Sequence, residues 1–267
     1  MPSLFPAHAG STRWRGLVDM GDSGNTSHHA EELRRQNCEL QERIEELEAF
    51  AQTVAHDLKG SLGTLKGFAT VLREDKGKLS AEQREVCLDY LVRTAHKLNS
   101  VVDELLLLAE IRKIDVVMEP LSMARIVAEA QERLDPMIKT HQVEIVLPAE
   151  WPLVKGHGSW VEEVWLNYLS NAIKFGGRPP RVELGADLQS DGVVRFWVRD
   201  NGRGLTPDEQ ARLFKPFTRL ETMPADGHGL GLSVVQRIVN KLGGQVGIES
   251  IPGQGSTFSF TLPGSQA

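Results

Sequence analysis

From Glu31 onward, apolar residues recur on a seven-residue period. Leu33, Leu40, Leu47 and Val54 form one row, and Asn37, Ile44, Ala51 and Leu58 form the interleaved row. This is the a/d seam of a coiled coil, and Asn37 is the polar a position that can fix its register and a two-stranded state. The helical pattern continues to about Lys76. Gly77, Lys78 and Leu79 then make a turn, and Ser80-Ala-Glu-Gln83 reads as a capping box opening a second helix. That helix carries Val86, Tyr90, Leu91, Leu98, Val102, Leu105 and Ala109 at three- and four-residue steps and ends near Lys113. Two long antiparallel helices cannot bury their apolar faces alone, whereas two copies of the hairpin would make a four-helix bundle.

Between Lys113 and Ser122 the pattern breaks, with an extended stretch and Pro120. Beyond it the sequence predicts a helix over about 123–140, a strand over 143–147 and a helix over about 159–175. Two strands at 181–189 and 193–200 follow, joined by Ser190-Asp191-Gly192. A loop-rich stretch leads to a helix over about 230–242, and a hairpin at 245–251 and 256–262 turns at Pro252-Gly253. This mixture gives an α+β chain whose second half is an α/β sandwich, with helices on one face of a mixed sheet. The expected organisation is a mostly disordered leader over 1–30, a coiled coil over 31–53, a helical hairpin domain over 54–114 and the sandwich over 115–263.

Composition narrows the choices. The 267 residues carry a formal charge of -6 with basic residues scattered, which argues against a nucleic-acid-binding surface. Cys38 and Cys87 provide neither a disulfide framework nor a metal-ligand spacing. The longest aliphatic run, Leu105 to Leu108, is far short of a membrane span, and no secretory signal is readable. The expected location is cytoplasmic.

Candidate chemistry lies in the second half. Asp200-Asn-Gly202-Arg-Gly204 follows directly on an apolar strand. Gly227-His-Gly229-Leu-Gly231 opens a helix, and Gly253-Gln-Gly255-Ser256 lies in the closing hairpin. Glycines at such points let backbone N–H groups approach a polyanion, and a helix N-terminus adds its dipole. Asn167, Asn171 and Lys174 lie four and three residues apart, on one helix face. A carboxamide oxygen suits magnesium, and a lysine suits phosphate as a point charge. Any one of these clusters, taken alone, reads equally well as a hairpin or a helix cap. Neither a GxxxxGK[ST] loop nor a strand-anchored GxGxxG fingerprint is present.

Taken in order, the set resembles the ATP-binding domain shared by histidine kinases, gyrase-type topoisomerases, mismatch-repair ATPases and a heat-shock chaperone. LNYLSNAIKFG resembles the N box, DNGRGL the first glycine box and LFKPFTRL the F box. GHGLGLSVVQRIV resembles the second glycine box and GQGSTFSF the third. The resemblance implies that Asp200 binds the adenine amino group, that Asn171 holds magnesium, and that Lys174 and the glycines around Gly229 contact phosphates. It makes Asn167, Gly202, Gly204, Gly227 and Gly231 further nucleotide-site residues. Phe214 and Phe217 would anchor a mobile lid between Thr218 and Asp226.

VAHDLKGSLGTLKGF, from Val54 to Phe68, resembles the H box that distinguishes histidine kinases within this superfamily. The heptad register agrees, because it puts His56 at the outward f position and Asp57 at g. His96 has no such context and reads as structural, and His228 borders the glycine box. The resemblance implies an ATP- and magnesium-dependent protein histidine kinase, acting as a homodimer. It would phosphorylate its own His56, with Asp57 as base or orienting partner, and pass the phosphoryl group to an aspartate in the receiver domain of a response regulator. The competing classes are a non-kinase ATPase of the same superfamily, a DNA-repair or chaperone clamp, and an ATP-binding scaffold without catalysis. The chain departs from the family's H box four and five residues after the histidine. Gly60 and Ser61 stand where Thr or Asn and then Pro are usual. Losing them implies a straighter stem and little phosphatase activity toward the regulator.

Overall fold

The computed structural model describes residues 23–75, 77–113, 116–190, 192–214 and 230–264. By internal contacts the chain divides into two units, 1–52 and 53–267. In the first, every described residue is helical, within α1 (Ser23–Glu74). That helix starts inside the stretch read as leader, eight residues before Glu31. Leu33, Leu40 and Ile44 of the heptad rows are exposed on it.

The second unit opens with the remainder of α1 and continues through α2 (Ala81–Lys113). Asp75 closes the first helix. Its Oδ1 accepts from the Lys78 and Leu79 N–H groups at 2.7 and 3.0 Å, and its Oδ2 accepts from the Arg84 Nε at 2.8 Å. These partners hold the Asp75 carboxyl below the usual carboxylate range, the Leu79 N–H contributing most. The capping box forms as the sequence predicts. Gln83 N–H donates to Ser80 Oγ at 3.1 Å, and Ser80 N–H donates to Gln83 Oε1 at 2.8 Å. Phe68 and Tyr90 stack across the hairpin with ring centroids 4.9 Å apart.

The sandwich follows as β1 (Glu119–Leu121), α3 (Met123–Arg133), α4 (Asp135–His141), β2 (Glu144–Val146), β3 (Val154–Gly156) and α5 (Gly158–Phe175). Then come β4 (Arg181–Leu188), β5 (Val193–Asp200), α6 (Pro207–Arg212), α7 (Gly231–Lys241), β6 (Val246–Ser250) and β7 (Ser256–Pro263). The helix expected over 123–140 is two helices. Pro136 sits at the start of the second, and its ring and missing N–H break the hydrogen-bond ladder at Leu134. β1 and β3 pair antiparallel in a small sheet. The five-stranded sheet runs β2-β4-β5-β7-β6, with β2 parallel to β4 and the other pairs antiparallel.

The core lies between the sheet and the helices. Trp165 and Tyr168 of α5 meet Phe196 of β5 and Phe260 of β7, and each is fully buried. Full burial of an apolar side chain of this kind is worth roughly 1.5–3 kcal/mol. The polar atoms of the two amphipathic rings are satisfied. Trp165 Nε1–H donates to Met123 Sδ at 3.0 Å, and the Tyr168 hydroxyl donates to the Ser259 carbonyl at 3.1 Å. On the opposite face of the sheet, Trp197 lies flat over Gly185, where a Cβ would be 2.0 Å from the ring. Its indole N–H donates to Asp187 at 3.0 Å.

Candidate nucleotide site

Asp200 ends β5, on the inward side of the strand, and is only 7% exposed. Its Oδ1 accepts from the Gly202 N–H at 2.8 Å and the Ser256 N–H at 3.3 Å. Burial raises its pKa, and the Gly202 and Ser256 N–H groups offset only part of that rise. The result is a fixed carboxylate acceptor with both backbone donors on one oxygen, an arrangement suited to a ligand amine.

The glycines around it are there because chain must approach chain. Gly204 has φ +67, and a Cβ on it would lie 2.0 Å from the Ile251 carbonyl oxygen. Gly255, at φ +86, would meet the Asp200 carbonyl oxygen at 2.0 Å. The first and third glycine boxes therefore close on each other, and Gly202 is pinned against the Phe175 carbonyl at the end of α5. Sequence reasoning passed over Asn201. Its Oδ1 accepts from the Gly177 and Arg181 N–H groups at 2.8 and 2.9 Å, and its Nδ2 donates to the Pro179 carbonyl at 3.2 Å. It locks the α5–β4 connection beside Asp200. The available signal was its position next to the buried acid.

Asn167, Asn171 and Lys174 share one face of α5. Asn171 Nδ2 donates to Asn167 Oδ1 at 3.0 Å, a bond that orients both amides and uses the Asn171 amide nitrogen rather than its oxygen. Gly231 opens α7 directly against this pair, since a Cβ there would come within 1.9 Å of Asn167 Nδ2. Lys174 is exposed at the helix end. These donors fit a hard, oxygen-preferring divalent ion with phosphates: one amide oxygen, one point charge and a helix N-terminus.

The structure thus forms two clusters, Asp200 with Gly202 and Gly255, and Asn167 with Asn171 and Gly231. His56 is exposed on α1, as the f position requires, and His96 is exposed on α2. Gly227, His228, Gly229, Phe217 and the lid from Thr218 to Asp226 lie outside the described residues, as does the side chain of Asp57. Among the described residues no group of three or more His, Cys, Asp and Glu side chains is placed to hold a metal ion. No helix among them is long and apolar enough to cross a membrane.

Two family profiles match the chain. One, described as the His Kinase A (phospho-acceptor) domain, covers residues 46–114. The other, described as the histidine kinase-, DNA gyrase B-, and HSP90-like ATPase, covers residues 156–266. The methanogenesis regulatory histidine kinase FilI of Methanothrix harundinacea is 34% identical over 241 residues, spanning 87% of this chain and 27% of that protein. The sensor histidine kinase ZraS of Klebsiella oxytoca is 30% identical, spanning 86% of this chain and 49% of its own length. The chain therefore spans about a quarter to a half of these curated relatives. Full-length ShkA, solved in complex with AMPPNP, is 28% identical with a TM-score of 0.58, covering 81% of this chain and 46% of that one. The histidine kinase ThkA, solved with the response regulator TrrA, is 20% identical with a TM-score of 0.65. That match covers 84% of this chain and 64% of ThkA, and it shows the fold.

Proposed function

Because this chain belongs to the two-component histidine kinases, carrying their phosphoacceptor and ATPase domains in order, we propose that it phosphorylates its own His56 from Mg-ATP and passes the group to a response regulator aspartate. The observation that carries the reading is the pairing of a buried, backbone-anchored Asp200 with the Asn167–Asn171–Gly231 cluster, in one chain with an exposed histidine on a helical stem.

In this reading Asp200 accepts from the adenine amine. Asn171 presents its amide oxygen to magnesium beside Asn167, which orients it. Lys174 neutralises phosphate charge, and the glycine-box amides add backbone donors. Magnesium, when bound, offsets the charge of the phosphates. Phosphoryl transfer asks chiefly for in-line positioning and charge neutralisation. The lone pair of a neutral imidazole nitrogen can attack phosphorus without activation by metal. Asp57 is the proposed base or orienting partner. The phosphoramidate formed is a reactive donor suited to a second transfer. Residues 31–53 would form the coiled coil and 54–114 the phosphoacceptor hairpin of a homodimer. The sandwich of 115–263 would swing on the connection between α2 and β1.

Incubation with γ-labelled ATP tests the reading. The parent is expected to take up acid-labile, base-stable label. His56→Gln is expected to lose it while retaining nucleotide binding. Asn171→Asp, which puts a charge where a neutral amide is needed, should instead weaken Mg-ATP binding by roughly ten- to a hundredfold, equivalent to about 1.4–3 kcal/mol. Acid-labile label on the His56 variant would overturn the site assignment.

A further inference from the structure

α2 packs against α7, and α7 in turn abuts α5 where Gly231 meets Asn167. Val101, Glu104, Leu108 and Ile111 follow one another along α2 at spacings of three, four and three, so they share one side of that helix. The three apolar members of the set are buried. Glu104 stands among them, its Oε2 buried and without a hydrogen-bond partner among the described residues. Lys174 and Glu163 of α5 act on its charge, which places this side of α2 toward the sandwich. A carboxyl in that condition is at a disadvantage in either protonation state. The ionised form loses hydration, and the neutral form buries an oxygen that still lacks a donor. Asp103, the preceding residue, is exposed and bears no such cost.

We propose that the contact of α2 with α7 is an autoinhibitory seat, holding the sandwich on the stem, and that Glu104 keeps this seat weak enough to open. The regulatory half of the inference rests on the reading of His56 as the phosphoacceptor, because in that reading the sandwich swings to bring nucleotide to the histidine. Val101, Leu108 and Ile111 favour the seated arrangement by staying out of water. The Glu104 oxygen opposes it, since opening the contact restores that oxygen's hydration at once. An aliphatic residue at 104 would continue the pattern of its three neighbours and remove the opposition. With the seat close to balance, a modest push on α2 shifts the population between held and free sandwich.

Two measurements on the full chain test this. Hydroxyl-radical footprinting reads how far water reaches Leu108 and Ile111, and label uptake from γ-labelled ATP reads release of the sandwich. Glu104→Met keeps the length of the side chain and removes its polar end. In this variant Leu108 and Ile111 should be oxidised several-fold more slowly than in the parent. Its rate of autophosphorylation should fall about tenfold, the size expected when one unpartnered buried polar group is removed. Binding of a non-hydrolysable ATP analogue should not change. Glu104→Leu, a second aliphatic replacement, should act in the same direction, whereas Asp103→Met adds the same apolar bulk on the exposed side and should alter neither signal. Unchanged or faster oxidation in both Glu104 variants would overturn the proposal, as would equal slowing by Asp103→Met. A tighter footprint with undiminished autophosphorylation would overturn the autoinhibitory role. No label on any of the four proteins would refute the kinase reading instead, and the footprint would still decide whether Glu104 weakens the seat.

Discussion

The stem and the sandwich satisfy their apolar residues in different ways. In the sandwich, a sheet and the helices on one of its faces enclose Trp165, Tyr168, Phe196 and Phe260 completely within one chain. The stem consists of two helices, on which Val54, Val101, Leu108 and Ile111 are buried but much of the apolar surface stays open. Leu62, Val71, Val86, Leu88, Val92 and Leu106 stay exposed on it. The sandwich is thus a finished unit, while the stem is half of one, and the proposed phosphoacceptor His56 sits on the unfinished half. In the proposed homodimer a second copy would supply what the stem lacks.

Sedimentation is the strongest way to break this contrast. The parent should run as a homodimer at micromolar concentration, corresponding to about 8 kcal/mol of association free energy or more. A monomer at that concentration would mean that the exposed stem residues need no partner. A smaller effect sharpens the contrast where the two regions touch. Burial lifts the Glu104 carboxyl from 4.5 to about 7, although Lys174 pulls the other way. The folded protein therefore binds this proton more tightly than the unfolded chain. The cost of ionisation is absent below about pH 4.5, grows through the interval and is complete above about pH 7. Glu104→Gln should accordingly be more stable than the parent at pH 8, by at most about 3 kcal/mol, and lose most of that advantage by pH 5. Denaturant unfolding at both pH values measures it, and a pH-independent difference would contradict the assigned burial. The smallest effect belongs to the stem alone. Ser80→Ala removes the oxygen that caps α2 and should cost about 1 kcal/mol. Faster amide exchange should be confined to the first turn of α2, with the sandwich unaffected.

Features that depend on local chemistry were legible in the sequence. The Ser80–Gln83 box, the heptad rows and the strand leading into Asp200 each follow from a spacing of a few residues. The break at Leu134 was equally local, and the run of helix formers around Pro136 masked it. The three-residue strands β1 and β3 are too short to show a period, and they exist only because they find each other across more than thirty residues of chain. The site divided along the same line. Asp200 and the asparagine pair announce themselves by motif. The service of Asn201 to the backbone of Gly177 and Arg181, and the burial of Glu104, arise from elements that meet only after folding.

The aromatic cluster also governs what each optical probe can see. Trp151, Trp160, Trp165 and Trp197 all belong to the sandwich, and residues 53–113 contain no tryptophan. With Trp14 replaced by Phe, indole emission would follow the sandwich alone, while far-ultraviolet dichroism is weighted toward the long helices α1 and α2. A state in which the stem has melted over an intact sandwich would be silent to fluorescence and plain to dichroism. Agreement between the two signals during unfolding would thus mean that the halves come apart together.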